Sequence, residues 1–399
     1  MPNTKSLNLG TFFCLYLARA IPSTFLMTAL QVTLRQEGVS LAAIGLLSLV
    51  RLPWSLKFLW APIIDRHCVS VGDFKRVIIV TELIFALAVF TVGLMDVSTQ
   101  LPIIIALILL STFAASVQNV TNDTLAVNAF TRGDHSAVNS MKSMGRYGGK
   151  ILGGGVLLMV LHRYGWHTVV PLLGFFAVLL VLPLVFNHRI EIVRRPDRQR
   201  ARLSDFYHFF ARREVWPLLG FLLLFFAGID GILAMLKPWL VDLGYNMRDI
   251  GLYNGVIGTG VAFAMAAFAG WWIKRLGLRR ARIVVASAAL IVPLYFLLLT
   301  FLPHTLPLIL VGIIIIRSVE ASAAVTVYST AMDAVRPGRE GTDFTIQIVV
   351  VHLGGSMVQV ISGGVGEWLD YRGLFIIEFG LALVTLFYIL RFLPVRQRN

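Results

Sequence analysis

Thr124-Leu-Ala-Val-Asn-Ala-Phe-Thr-Arg-Gly-Asp134 ends one apolar run, and Thr330-Ala-Met-Asp-Ala-Val-Arg-Pro-Gly-Arg-Glu340 ends another, 206 residues later. Each leaves a hydrophobic stretch through a basic, glycine-bearing break that closes on an acid. The same offset carries Ile44-Gly45-Leu46 onto Ile250-Gly251-Leu252 and Gly148-Gly149 onto Gly354-Gly355. Apolar runs of about 20 residues, the length that crosses a ~30 Å hydrocarbon core, surround these segments. They fall near 10–34, 41–64, 77–96, 101–130, 139–161 and 166–187, then 215–241, 247–273, 281–302, 305–330, 341–366 and 371–392. Six runs separate the copies, so both keep one membrane orientation, a parallel repeat about an axis along the membrane normal. The expected fold is all-α, with twelve transmembrane helices in two parallel six-helix repeats at residues 1–187 and 215–399. A basic linker at 188–214 joins them.

Composition points the same way. The 399 residues are 57% hydrophobic and 14% charged, with mean hydropathy +0.79. Soluble domains carry about 25% charged residues, so a soluble enzyme is excluded and most of the surface must face lipid. A net charge of +14 would suggest nucleic acid in a soluble protein, but here the basic residues cluster in alternate loops. One side holds Lys5, Arg66, Lys75, Arg76, Arg132, Arg189, Arg194, Arg195, Arg198, Arg200, Arg202, Arg212 and Arg213. It continues with Lys274, Arg275, Arg279, Arg280, Arg282, Arg336, Arg339, Arg391, Arg396 and Arg398, making 23 in all. The other side has four, Arg35, Arg163, Arg248 and Arg372. Loops rich in Lys and Arg stay in the cytoplasm, which places both termini there and removes the nucleic-acid reading. The first run, from Leu9 to Leu34, is too long for a signal-peptide core, and no small-residue cleavage site follows it. It is read as a retained first helix. Cys14 and Cys68 cannot form a disulfide framework and read as packing residues.

An ionisable residue at a helix centre costs roughly 2.5–3.5 kcal/mol on insertion scales and normally faces a cavity or a partner. This sequence places Arg19, Arg51, Lys57, Lys150, Lys237 and Arg317 inside spans, against Asp123, Asp230 and Glu320, six positive to three negative. A surplus of buried cations calls for an anionic guest, and the planar fork of arginine suits carboxylate or phosphate. Arg19 has no acid within helical reach in its own span. Arg317 and Glu320 stand three apart and read equally as a structural pair. Carboxylates in a low-dielectric cavity can take up and release protons near neutral pH, which makes Asp123, Asp230 and Glu320 the candidate proton carriers. Span 4 also carries Gln118, Asn119 and Asn122 beside Asp123, a polar face that reads either as a ligand surface or as a helix seam.

Glycines crowd span 5 (Gly148, Gly149, Gly153, Gly154, Gly155), span 8 (Gly251, Gly255, Gly258, Gly260) and span 11 (Gly354, Gly355, Gly363, Gly364, Gly366). They are expected to form the packing seam between two rocking halves, because no strand precedes them and no Lys-Ser/Thr follows. Trp54, Trp60, Trp239 and Tyr328 read as core or interfacial aromatics before ligand platforms. His352 in span 11 is open between packing and proton relay. There is no His-Glu-x-x-His, no Gly-x-Ser-x-Gly and no cluster of His/Cys ligands, so neither metal, cofactor nor catalytic residue is expected. A membrane-embedded enzyme ranks below a transporter.

The stretch from Ser40 to Arg66, with its core Lys57-Phe-Leu-Trp-Ala-Pro-Ile-Ile-Asp65-Arg66, resembles a branch of the major facilitator superfamily. That branch holds muropeptide permeases, acetyl-CoA transporters and siderophore permeases. Asp65-Arg66 to Lys75-Arg76 looks like that superfamily's basic loop motif and is taken as a gating loop; its partner, Lys274-Arg-Leu-Gly-Leu-Arg-Arg, lacks the acid. Gln118-Asn119-Val-Thr-Asn-Asp123 aligns with the branch pattern Gln-Asp-x-x-x-Asp, with Asn119 where the first acid stands. Leu52-Pro53-Trp54 and Asp123-Thr-Leu-Ala-Val127 are more like siderophore permeases of the RhtX and FptX kind. The resemblance implies a monomeric bacterial inner-membrane importer driven by protons through alternating access. Its cargo is read as a siderophore or iron-siderophore complex, with an anhydromuropeptide the alternative and an acyl-CoA further behind. The expected substrate contacts are Arg19, Arg51, Lys57, Gln118, Asn119, Lys150, Lys237 and Arg317.

Overall fold

The structure is a computed structural model, and it describes residues 4–36, 50, 52–96, 99–192 and 205–393. All regular structure among these residues is helical. Without water in the hydrocarbon core, backbone N–H and C=O groups must be satisfied within the segment itself, and the helix does this.

The principal helices are α1 (Thr4–Gln36), α2 (Ala61–His67), α3 (Val71–Gly93), α4 (Leu101–Ala129), α5 (His135–Ile151) and α6 (Trp166–Phe186). There follow α7 (Ala227–Asp242), α8 (Gly258–Leu276), α9 (Leu278–Leu299), α10 (Leu306–Asp333) and α11 (Glu340–Phe392). Among the described residues nine helical segments are long and apolar enough to cross a membrane. Two of the twelve expected runs differ in the described residues. Residues 41–49 and 51 of run 41–64 lie outside the described residues, and the rest is short helical pieces at Leu52–Ser55, Lys57–Leu59 and α2. Run 139–161 carries Lys142, Arg146 and Lys150 and opens into a wider turn at Leu152–Val156, where three successive glycines give the backbone little side-chain support. The last two runs, as expected, are two helices, residues 340–369 and 371–392 of α11, which meet at Asp370, where the backbone takes φ 55 and ψ −178.

The chain forms two compact units. Unit 1 comprises residues 1–131, 144–205 and 335–345; unit 2 comprises 132–143, 206–334 and 346–399. In unit 1, α3 packs on α4 and α6, and α1 packs on α6. In unit 2, α10 packs on α8 and α9, and α9 packs on α7. The glycine seams lie inside the units, where the sequence pattern suggested one between halves. A Cβ at Gly149 would overlap Ala20 of α1 in unit 1, and one at Gly354 would overlap the Leu223 backbone in unit 2. Several of the expected glycines, Gly155, Gly251, Gly255, Gly260, Gly364 and Gly366, face open space instead.

Each unit also captures a short segment from a distant part of the sequence. In unit 1 the first turn of α11 sits on the end of α2. Asp65 Oδ1 accepts from the Gly341 amide at 2.9 Å, and Oδ2 accepts from the Thr342 amide at 2.7 Å and the Thr342 hydroxyl at 2.6 Å. A carboxylate at a helix start meets unpaired N–H groups and the positive end of the helix dipole. Burial pushes the Asp65 carboxyl up to about 7, against the pull of those three donors. Gly341 has no room for a side chain, because a Cβ there would run into the Thr124 hydroxyl. Arg336 and Arg339 secure the same segment through Asp343 and Asp205, each at 2.6 Å. In unit 2 the start of α5 is held by His135 on Asp333 and Asp134 on Lys274, both at 2.6 Å. The Ser140 hydroxyl donates to the Ala266 carbonyl, also at 2.6 Å.

Asp65→Leu removes all three accepting contacts, and hydrogen bonds to a charged group contribute about 1.5–3 kcal/mol. Amide exchange of Gly341 and Thr342 should therefore accelerate roughly tenfold or more, read by hydrogen–deuterium exchange; unchanged protection would show that the cap does not hold the segment.

Candidate functional site

Unit 1 gathers a polar cluster from six elements. Arg19 projects from α1 over the indole of Trp54, its guanidinium carbon 4.4 Å from the ring centroid. Lys57 lies over the same ring at 5.1 Å and donates to Asn119 Oδ1 at 3.3 Å. The indole thus faces two cations, an arrangement whose attraction is strongest once water is excluded. From α4, Asp123 Oδ1 accepts from the Tyr16 hydroxyl at 3.0 Å, and Gln118 donates to Glu82 of α3. Asp123 and Glu82 both act electrostatically on Arg19, and Arg146 of α5 opposes them. No hydrogen bond or ion pair to Arg19 exists among the described residues, and its Nε is buried without a hydrogen-bond partner. A guanidinium left in this condition can take a carboxylate or phosphate through two parallel donors.

Unit 2 is arranged differently. Arg317 of α10 donates to Glu320 Oε2 at 2.8 Å and to Asn254 Oδ1 at 2.7 Å. The three-residue spacing therefore serves a structural pair, the reading that the sequence left level with ligand binding. Asp230 of α7 sets its carboxylate against Gly355. A further acid, Glu378, lies buried beyond Asp370 and accepts from the Ser362 hydroxyl at 2.6 Å.

Of the substrate contacts expected from sequence, Arg19, Lys57 and Asn119 meet around Trp54, and Gln118 stands nearby on the Glu82 side. Arg51 lies outside the described residues. Lys150 and Lys237 are exposed, so neither is a buried cation. Lys150 rests near the Tyr147 ring at 5.7 Å. Arg66 of the loop motif is exposed, while Asp65 carries the contact to α11. His352 is exposed too, and Trp239 is a core residue between Phe296 and Phe375. Sequence reading passed over Glu82, Arg146 and Glu378. The signal was present, since Glu82 and Glu378 are lone acids within long apolar runs. Among the described residues no group of His, Cys, Asp and Glu has the makings of a metal site.

The sequence model of the Major Facilitator Superfamily matches residues 10–359. An anhydromuropeptide permease of Escherichia coli K12 is 22% identical over 67% of this chain, and the match spans 55% of that protein's length, little more than half. A putative transporter AmpG 4 of Rickettsia conorii is 21% identical over 96% of both chains. The crystal structure of the human organic anion transporter MFSD10 superposes with a TM-score of 0.71 at 14% identity, covering 98% of this chain and 100% of that one. At that identity the superposition shows the fold alone.

Arg19→Ala should weaken binding of an anionic ligand to the purified chain at least tenfold, measured by tryptophan quenching or calorimetry. Trp54→Ala should weaken it less, by the loss of one stacking face. Equal affinity in both variants would remove the cluster from the binding site.

Proposed function

The chain belongs to the major facilitator superfamily, and on that premise we propose that it is a secondary active importer of an anionic organic solute of the anhydromuropeptide class. The observation that carries this is Arg19, a guanidinium over an indole with no acid hydrogen-bonded to it among the described residues. A muropeptide joins amino-sugar rings, whose apolar faces stack on aromatics, to a peptide with free carboxylates. Trp54 suits the first and the Arg19–Lys57 pair the second.

The local sequence of spans 2 and 4 ranked a siderophore first and a muropeptide second. The named relatives favour the second, since the anhydromuropeptide permease and AmpG matches reach from 67% to 96% of this chain. In the same proposal the chain crosses the inner membrane twelve times in two parallel halves, works as a monomer by alternating access, and keeps both termini in the cytoplasm. Protons drive it through Asp123, which Tyr16 positions one turn from the Lys57–Asn119 contact, and through Asp230. Glu320, tied to Arg317, drops to a supporting role.

Uptake into proteoliposomes tests this directly, with labelled anhydromuropeptide and a labelled ferric siderophore compared side by side. Accumulation of the muropeptide alone is expected; transport of the siderophore alone would reverse the substrate assignment, and transport of neither would overturn the reading. Asp123→Asn should abolish accumulation driven by a proton gradient while sparing exchange, and normal accumulation would clear Asp123 of coupling.

A further inference from the structure

We propose that Glu378, with Ser362 and Asp230, forms a proton-binding site within unit 2, distinct from the polar cluster around Arg19. Glu378 is 1% exposed and stands in the run Leu374-Phe-Ile-Ile-Glu378-Phe-Gly-Leu381, where every neighbour is apolar. Its Oε1 accepts from the Ser362 hydroxyl at 2.6 Å, while Oε2 is buried with no hydrogen-bond partner among the described residues. The structure makes room for this carboxyl. Its Oε1 lies against Gly231 of α7, where a Cβ would collide with both Glu378 and Ser362. Asp230, the residue before that glycine, lies in turn against Gly355 of α11. Each acid therefore occupies the space that a glycine on the facing helix leaves open.

The charges around Glu378 decide its state. From α7 comes Asp230, whose charge acts on it; Lys237, two turns along, is exposed. The earlier part of α11 contributes the Ser362 hydroxyl, and His352 on the same stretch is exposed. On its own stretch, Tyr371 donates to Asp242 and Tyr388 to the Pro217 carbonyl. No cation pairs with Glu378 among the described residues. An ionised Glu378 would hold one hydroxyl donor, face a second negative charge and leave an oxygen bare, a state strongly disfavoured in an apolar interior. A proton on Oε2 removes all three penalties. It leaves to water as a hydronium proton when the carboxyl is exposed, and the carboxylate recovers it on burial.

The site rests on the transporter reading only for its coupling to uptake; its protonation can be measured without any substrate. The full chain in liposomes is titrated by infrared difference spectroscopy of protonated-carboxyl bands. Wild type should show a buried carboxyl band that disappears as pH rises, and Glu378→Gln should lack it. Asp230→Asn, by removing the neighbouring charge, should move the titration to lower pH by about one unit, a tenfold change in proton affinity. Ser362→Ala keeps the carboxyl and should shift the band's frequency, which protects the test should Glu378→Gln fail to fold. A wild type without a titrating band, or a Glu378→Gln variant that retains it, overturns the proposal. Uptake of labelled anhydromuropeptide then separates the two readings. Glu378→Gln should lose gradient-driven accumulation; a wild type indifferent to the gradient would refute proton coupling while leaving a titrating site in place, and a variant that accumulates normally would refute the role of Glu378 in transport.

Discussion

In a hydrocarbon solvent an unpartnered charge has almost nowhere to go, and this constraint organises the protein. It makes all the regular structure of the described chain helical, since only intrasegment hydrogen bonds can satisfy a backbone in hydrocarbon. It also turns every ionisable side chain inside a span into something that must be solvated by protein, by a ligand or by a proton. The two units meet that demand in different ways. In unit 1 Arg19 and Lys57 lie over the face of Trp54, and Lys57 also donates to Asn119. In unit 2 Arg317 is neutralised by Glu320 and Asn254, and the remaining acids, Asp230 and Glu378, are set against glycines.

Much of this was legible in the residues. Hydropathy located the helices because a 20-residue apolar run has few other uses, and the Asp65-Arg66 motif pointed to the end of α2 where the structure finds a buried carboxylate. Arg19 was singled out because its own helix offered it no acid; among the described residues no acid hydrogen-bonds to it, although Asp123 and Glu82 from other helices lie in its field. What sequence could not supply was the partner across helices. Lys57 finds Asn119, Tyr16 finds Asp123, and Arg317 gains Asn254 from 63 residues away. Such contacts depend on helix rotation and depth, which periodicity does not encode in a uniformly apolar span. Burial is likewise not encoded in the span: Lys150 and Lys237 were read as buried cations, and their side chains are exposed.

Glu82 and Glu378 show a different gap. Both are lone acids within long apolar runs, and the count of in-span charges passed them by. Each is held by a neutral donor, Gln118 or Ser362, and each leaves one carboxyl oxygen buried without a hydrogen-bond partner. Their surroundings differ in sign, since Glu82 has Arg19 in its field and Glu378 has Asp230.

The exchange of short segments between the units has a consequence for how the molecule is made. Unit 1 includes residues 335–345, so it lacks a piece of itself until the ribosome has passed Thr345, long after its first helices have been inserted. Unit 2 in turn uses residues 132–143, which emerge before most of its own chain exists. Neither half can mature alone in order of synthesis. The Asp65 carboxylate must wait for amides encoded 276 residues later, and the late arrival of that helix start is what completes the early half of the protein.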